Sequence, residues 1–230
     1  STLLKALSLL KQPMETEKAA SAEAFLAIAE ALDQVYRERL ETMGDLPGGR
    51  DMSCTTHLCV IDSQGSMVSL TQTLLSIFGS KLVLPQTGIL MNNGLMWFNP
   101  ESGHPNSLTP DKRCLANTCP VIGLNDSGGM ALGASGGRRI MPAVLQLLYL
   151  LIDGEMSLEE AFHQPRIDHS GGDQVVVDRR LQKEVLQKIE EKFSCITAEN
   201  GAFPLYFACP SAVLKNGSQH YGSTAITHPW

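Results

Sequence analysis

Cys54-Thr-Thr-His-Leu-Cys-Val-Ile-Asp62 and Met67-Val-Ser-Leu-Thr-Gln-Thr-Leu74 are the two runs on which the fold turns. Both are dense in Val, Ile and Thr, whose branched Cβ suits a pleated strand. His57–Asp62 and Met67–Leu74 read as strands, and Ser63-Gln-Gly-Ser66 between them supplies turn residues, so an antiparallel hairpin is predicted. Side chains alternate along a strand, which puts residues 55 and 57 on one face.

Upstream, residues 16–43 carry Ala19, Ala20, Phe25, Leu26, Ile28, Ala29, Leu32, Tyr36 and Leu40 at helical spacing, with Gly44 as the stop and Leu46-Pro-Gly-Gly49 as a loop. Downstream, Gly79, Pro85, Gly88 and Asn92-Asn93-Gly94 mark a loop-rich stretch to Pro110. A second hairpin follows: Pro120–Leu124, the turn Asn125–Gly129, and Met130–Ala134. Ser135-Gly-Gly137 then opens a helix from about Arg139 to Ile152. Ser157-Leu-Glu-Glu160 is a capping box heading another helix. A strand at Val175–Asp178, a helix at 180–193 and a hairpin of Ser211–Lys215 with Gln219–Tyr221 about Asn216-Gly217 complete the chain. Hairpins trailed by helices predict a layered α+β domain rather than a parallel doubly wound sheet.

The 230 residues are 43% apolar, enough for one sizeable core. A net charge of -6 with no basic stripe argues against a nucleic-acid partner. The longest apolar stretch, Met141–Ile152, is too short to span a bilayer and reads as a core helix. Cysteines stand at 54, 59, 114, 119, 195 and 209; a chain this large needs no staples, and isolated buried thiols are expected rather than disulfides or a zinc site. The chain opens Ser1-Thr-Leu-Leu without Met, as expected of a processed chain or a piece of a longer one. Composition is compatible with a cytoplasmic or a secreted location and with a homo-oligomer.

The chemistry concentrates at Cys54-Thr55-Thr56-His57. An internal Thr has no adjacent base. A Thr at a chain terminus has its own α-amine, with an ordinary pKa of about 7.7–8.0, within reach of its Oγ. Such a residue supplies both nucleophile and general base. To reach that state, the Thr55 hydroxyl must attack the Cys54 carbonyl, shift the acyl group from N to O, and release it by hydrolysis. Acyl transfer also needs donors for the developing oxyanion; Gly133-Ala-Ser-Gly136-Gly137, with backbone N–H groups unobstructed by Cβ and a helix starting beyond, is the candidate. No cofactor or metal is called for. The plainer readings make Thr55 a strand residue, His57 a structural side chain rather than half of a Thr–His dyad, Trp97 ordinary core, and Arg138 and Arg139 surface charges. In the same vein His163, Arg166 and His169 pack around Pro165.

These motifs together resemble the gamma-glutamyltransferase family of N-terminal-nucleophile hydrolases. The resemblance is carried by Thr55-Thr-His-Leu-Cys-Val-Ile-Asp62, Val68-Ser-Leu-Thr-Gln-Thr73, Phe78-Gly-Ser80, Thr87-Gly-Ile-Leu-Met-Asn-Asn93, Gly133-Ala-Ser-Gly-Gly-Arg138 and Gln164-Pro-Arg166. It implies a four-layer αββα fold and a precursor that cuts itself between Cys54 and Thr55. Residues 1–54 would then end the large subunit and 55–230 form the small catalytic one, with the remainder of the large subunit as partner. It places the nucleophile at Thr55, the Thr that bonds the new terminus at Thr73, and the oxyanion glycines at Gly136 and Gly137. Substrate contacts fall on Asn93, Gly94, Trp97, Ala116 and Asn117.

The departures fall in that last group. Where gamma-glutamyl enzymes carry an acidic residue and a Gln to grip the α-ammonium group, this chain has Trp97 and Gly94. The Ser-Ser pair that helps hold the α-carboxylate is Ala116-Asn117, and an Asn expected after Thr73 is Leu75. The nucleophile apparatus is kept while the zwitterion clamp is largely gone, a pattern closer to the cephalosporin-acylase-like branch. Three functions follow: an autoprocessing gamma-glutamyl amidohydrolase or acyltransferase acting in glutathione metabolism; an acylase removing a dicarboxylic acyl chain; and an unprocessed, non-catalytic partner subunit.

Overall fold

The computed structural model describes residues 2–10, 19–43, 54–200 and 206–225. The first hairpin pairs β1 (Thr55–Ile61) with β2 (Met67–Thr73) antiparallel, Thr55 opposite Thr73. Its turn closes on Asp62, whose Oδ1 accepts from Gln64 N at 2.9 Å and Ser66 N at 2.8 Å. A four-stranded antiparallel sheet is built from β3 (Val121–Asn125), β4 (Gly128–Ser135), β8 (Cys209–Asn216) and β9 (Gln219–Thr224), in the order β3-β4-β8-β9. The hairpin lies face to face on this sheet, and the join is partly polar. Ser69 Oγ donates to Leu132 O at 2.9 Å, and Cys59 Sγ reaches Ser211 O at 3.5 Å.

On the far face of the sheet lies a helical layer. Its centre is α3 (Ile140–Ile152), apolar almost all round and therefore buried almost all round, with Val144, Leu145 and Leu147 fully inside. Alongside runs α2 (Ala22–Met43), which buries Phe25, Ile28, Leu32, Val35 and Tyr36 and leaves its charged side to solvent. A short α1 (Thr2–Leu9) packs on both. α4 (Leu158–His163) starts at Ser157 with the expected reciprocal capping box. A third small sheet joins β5 (Ile167–Asp168), β6 (Gln174–Asp178) and β7 (Ser194–Ala198), with α5 (Lys183–Glu190) crossing from β6 to β7. The described residues thus stack helices, sheet and hairpin in sequence. The outer face of the hairpin is open: Leu58 and Val68 are 41% and 49% exposed, with Val60 and Leu70 beside them.

Several expectations need correction. The helix predicted over 16–43 begins at Ala22, where Ser21 Oγ caps Ala24 N at 3.2 Å; residues 16–18, Gly44 and the Leu46–Gly49 loop lie outside the described residues. The helix predicted over 180–193 is trimmed to Lys183–Glu190. Asp178 holds Arg180 N at 3.0 Å and keeps that stretch a turn, and Ser194 already belongs to β7. β7 was not predicted, and it pairs with β6 in parallel. All six cysteines are free, yet none is fully buried: Cys54 is exposed and the others are half-buried. Among the described residues no helix is long and apolar enough to cross a membrane, and no cluster of His, Cys, Asp and Glu could hold a metal ion.

Candidate active site

Strand pairing brings Thr55 and Thr73 together, because they close the hairpin as a facing pair. The Thr55 hydroxyl donates to Thr73 Oγ1 at 3.0 Å. Thr73 in turn donates to the Cys54 carbonyl at 3.3 Å and accepts from Leu75 N at 2.8 Å. The same carbonyl accepts from Leu74 N at 3.0 Å. Thus the 54–55 peptide carbonyl is held by two donors, one of them bonded to the hydroxyl beside it. The geometry depends on Leu75 turning back with φ +69°, a left-handed conformation uncommon outside Gly, Asn and Asp.

Thr55, Thr73, Leu75, Trp97, Asn117 and Gly137 line one pocket of about 10 Å³, room for a single water. A groove of about 540 Å³ opens on the other side of Thr55, past Cys54, Gln72, Leu74, Met91 and Asn92. Gly137 has φ +63° and sits in the tight turn that leads into α3. Gly136, with φ +131°, does not line the pocket; it is pressed against Ala208, whose Cα is 2.8 Å from where a Gly136 Cβ would stand.

Not every predicted contact residue reaches the pocket. Asn93 stands behind it, where its Oδ1 accepts from Ser76 N at 3.0 Å and its Nδ2 donates to Ser76 Oγ at 2.8 Å. Gly94 underlies Trp97: a Cβ there would meet the indole at 3.5 Å. Ala116 lines a neighbouring cavity of about 370 Å³, and its carbonyl accepts from Arg39 Nη2 at 3.3 Å. Asn117 borders both cavities, with Oδ1 taking Arg39 Nη2 at 2.6 Å. Sequence reasoning missed Arg39, which looks like one more polar residue on the outer side of α2. It also missed Thr118 and Ile140 as pocket walls.

His57 is engaged elsewhere. Its Nδ1 lies 2.8 Å from Thr71 Oγ1 and its Nε2 lies 3.1 Å from Cys59 Sγ. Burial lowers its pKa and favours the neutral ring. These contacts hold the ring within the hairpin and form no dyad with Thr55. Arg138 and Arg139 are half-buried rather than surface charges, the Arg138 carbonyl accepting Tyr36 Oη–H at 2.6 Å. His163, Arg166 and His169 each bond to a different partner. His163 caps Glu159 O at 2.8 Å, His169 Nε2 reaches Asp33 Oδ1 at 3.2 Å, and Arg166 reaches Ala208 O at 3.2 Å. Asp168, two residues on from Arg166, is buried, and burial pushes its pKa up to about 7.

A sequence profile of the gamma-glutamyltranspeptidase family matches residues 48–203. The acylase ACY 1 proenzyme of Pseudomonas sp. (strain SE83) is 34% identical over 155 residues, covering 63% of this chain and 28% of that protein. The glutathione hydrolase proenzyme of Escherichia coli (strain K12) is 33% identical over 176 residues, 70% of this chain and 30% of that protein. The chain therefore spans less than a third of the length of these relatives. Among solved structures, the cephalosporin acylase of Bacillus halodurans superposes with a TM-score of 0.79 at 20% identity, covering 99% of this chain and 47% of that one. The fold is that of these N-terminal-nucleophile hydrolases, and the stacked helices, sheet and hairpin are its layers.

Proposed function

Since the chain belongs to the gamma-glutamyltranspeptidase family, we propose that it carries the catalytic half of an autoprocessing amidohydrolase or acyltransferase with Thr55 as nucleophile. The observation that carries this reading is the convergence of Thr55, Thr73 and Gly137 on one pocket at the head of β1.

In the uncut chain the Thr55 Oγ attacks the Cys54 carbonyl carbon. Negative charge develops on the carbonyl oxygen, which Leu74 N–H and Thr73 O–H already hold. The C–N bond breaks, the acyl group rests on Oγ as an ester, and the nitrogen takes the proton to become the α-amine of Thr55. Water then releases Cys54 as a carboxylate and restores the hydroxyl. In the mature state the amine takes the Oγ proton as Oγ attacks a substrate amide, and passes it to the departing amine. The acyl group leaves to water or to an acceptor amine. Residues 55–230 are the catalytic subunit in this scheme and 1–54 the end of the larger one. Further large-subunit polypeptide covers the open apolar face of the hairpin.

The acyl group it accepts is a dicarboxylic or related one rather than an unmodified gamma-glutamyl group. Trp97 and Leu75 stand on the small pocket beside Thr55 and bring no carboxylate to the nucleophile's surroundings for an α-ammonium group. The test has two parts. Mass spectrometry and N-terminal sequencing of the purified protein should find a fragment beginning at Thr55, absent from the Thr55→Ala chain. Turnover of glutaryl anilide should exceed that of gamma-glutamyl anilide. A chain that stays full-length and inert on prolonged incubation refutes the first part, and preference for the gamma-glutamyl substrate refutes the second.

A further inference from the structure

Arg166 is a cation in an unlikely place. Its side chain is 2% exposed, and its Nε has no hydrogen-bond partner. Asp178, a buried carboxylate whose charge acts on Arg166, is taken by Arg180, which meets it through Nε at 3.1 Å and Nη2 at 2.7 Å. The bond that the Arg166 guanidinium does make is Nη2 to Ala208 O at 3.2 Å. An apolar side chain of like size would fill the space without the cost of desolvating a charge, so packing does not account for an arginine here.

What the guanidinium does is fix Ala208. Ala208 is the floor on which Gly136 rests, touching it where no side chain could fit. The next residue, Cys209, pairs in register with Ser135, so the 208–209 segment underlies both residues that lead into the glycine turn. Gly137, one residue further, faces Thr55 across the pocket. Arg166 itself is anchored from the third sheet, its carbonyl accepting Asp178 N at 3.0 Å.

We propose that Arg166 is a positioning residue for the reaction assigned to Thr55, clamping the Ala208 carbonyl so that the Gly136–Gly137 turn presents the Gly137 N–H to the developing oxyanion. The inference rests on that assignment. A turn free to shift by a fraction of an ångström would lose charge stabilisation in the transition state while leaving substrate binding intact.

The test uses the full chain as purified, with Arg166→Met and Arg166→Lys. Active sites are titrated with a slow acyl donor, and kcat, KM, self-cleavage rate and Tm are measured for each. Arg166→Met is expected to lose about 10–100-fold in kcat per titrated site with KM within about twofold. Arg166→Lys, which keeps a donor, is expected to recover most of that loss. If Arg166→Met does not fold, the Lys variant decides: a several-fold fall in kcat at wild-type Tm supports the clamp. Unchanged kcat in folded Arg166→Met overturns it, as does a fall in Tm with full kcat; where only Arg166→Lys folds, wild-type kcat in that variant overturns it. Thr55→Ala run alongside separates the two levels. If Thr55→Ala keeps turnover, the nucleophile assignment has failed; if only the Arg166 variants keep it, the clamp has.

Discussion

The imidazole of His57 occupies the place where a side chain on Gly133 would begin: a Cβ there would stand 2.2 Å from His57 Cε1 and 2.5 Å from Nε2. The histidine of the first hairpin and the glycine of β4 are therefore one fitted contact, and it sets how β1 lies on the sheet. Gly133→Ala should displace the ring and cost about 1–3 kcal/mol, as overpacking does. Urea denaturation would register this as a lower midpoint. Self-cleavage should slow as well, because Thr55 heads the displaced strand.

Thr73 bonds three groups at once, so its hydroxyl is the part to remove. Thr73→Val keeps the shape and leaves the Cys54 carbonyl and Leu75 N–H each short of a partner. A loss of about 1–3 kcal/mol of transition-state stabilisation is about 5–150-fold in the rate of the 54–55 cut. Thr73→Ser should process at near the normal rate. Time courses on a denaturing gel compare them.

Leu75 holds φ +69° without the side chain that eases it. Asn is several-fold better tolerated there. Leu75→Asn should raise stability by up to about 1 kcal/mol, seen as a higher Tm, and make the pocket wall more polar.

Trp97→Asp places a carboxylate at the pocket rim. The ratio of gamma-glutamyl to glutaryl turnover should rise at least about tenfold, since an ammonium group gains an ionised partner worth about 1.5–3 kcal/mol. Steady-state kinetics on the two anilides read the ratio directly.

Asp168 gives the chain a pH dependence of unusual sign. Its pKa is about 7 in the folded state, against an ordinary 3.8. Between those values the folded chain holds a proton that the unfolded chain has lost, so ν_U − ν_N is negative and stability falls as pH rises. The loss is complete above about pH 7. Asp168→Asn should remove this slope, leaving the variant more stable than wild type at pH 8 by urea midpoint.

How much of this was legible in sequence depends on how local the cause was. The hairpin, the capping box at Ser157 and the apolar helix α3 rest on patterns within a few residues, and each stands where the pattern put it. The Thr55–Thr73 pair was legible through the family resemblance, and the hairpin register then sets the two opposite each other. β7 was not, since Ser194-Cys-Ile-Thr-Ala198 does not alternate cleanly, and it becomes a strand by lying parallel to β6. Arg39 and Ala208 were illegible for a different reason. Their roles exist only after α2 and β8 fold back over distant stretches, as with Arg39 and Asn117, which are 78 residues apart.

The first hairpin is a ribbon of two strands with both long edges unpaired among the described residues, and Leu58, Val60, Val68 and Leu70 stud its outer side. Unpaired edges and greasy side chains together are a template for adding foreign strands. A chain kept by itself in concentrated solution is thus prone to stick to copies of itself, and light scattering that grows with concentration would report it. Whatever polypeptide shields the ribbon also guards the strand whose first residue is Thr55, so solubility and maturation answer to the same cover.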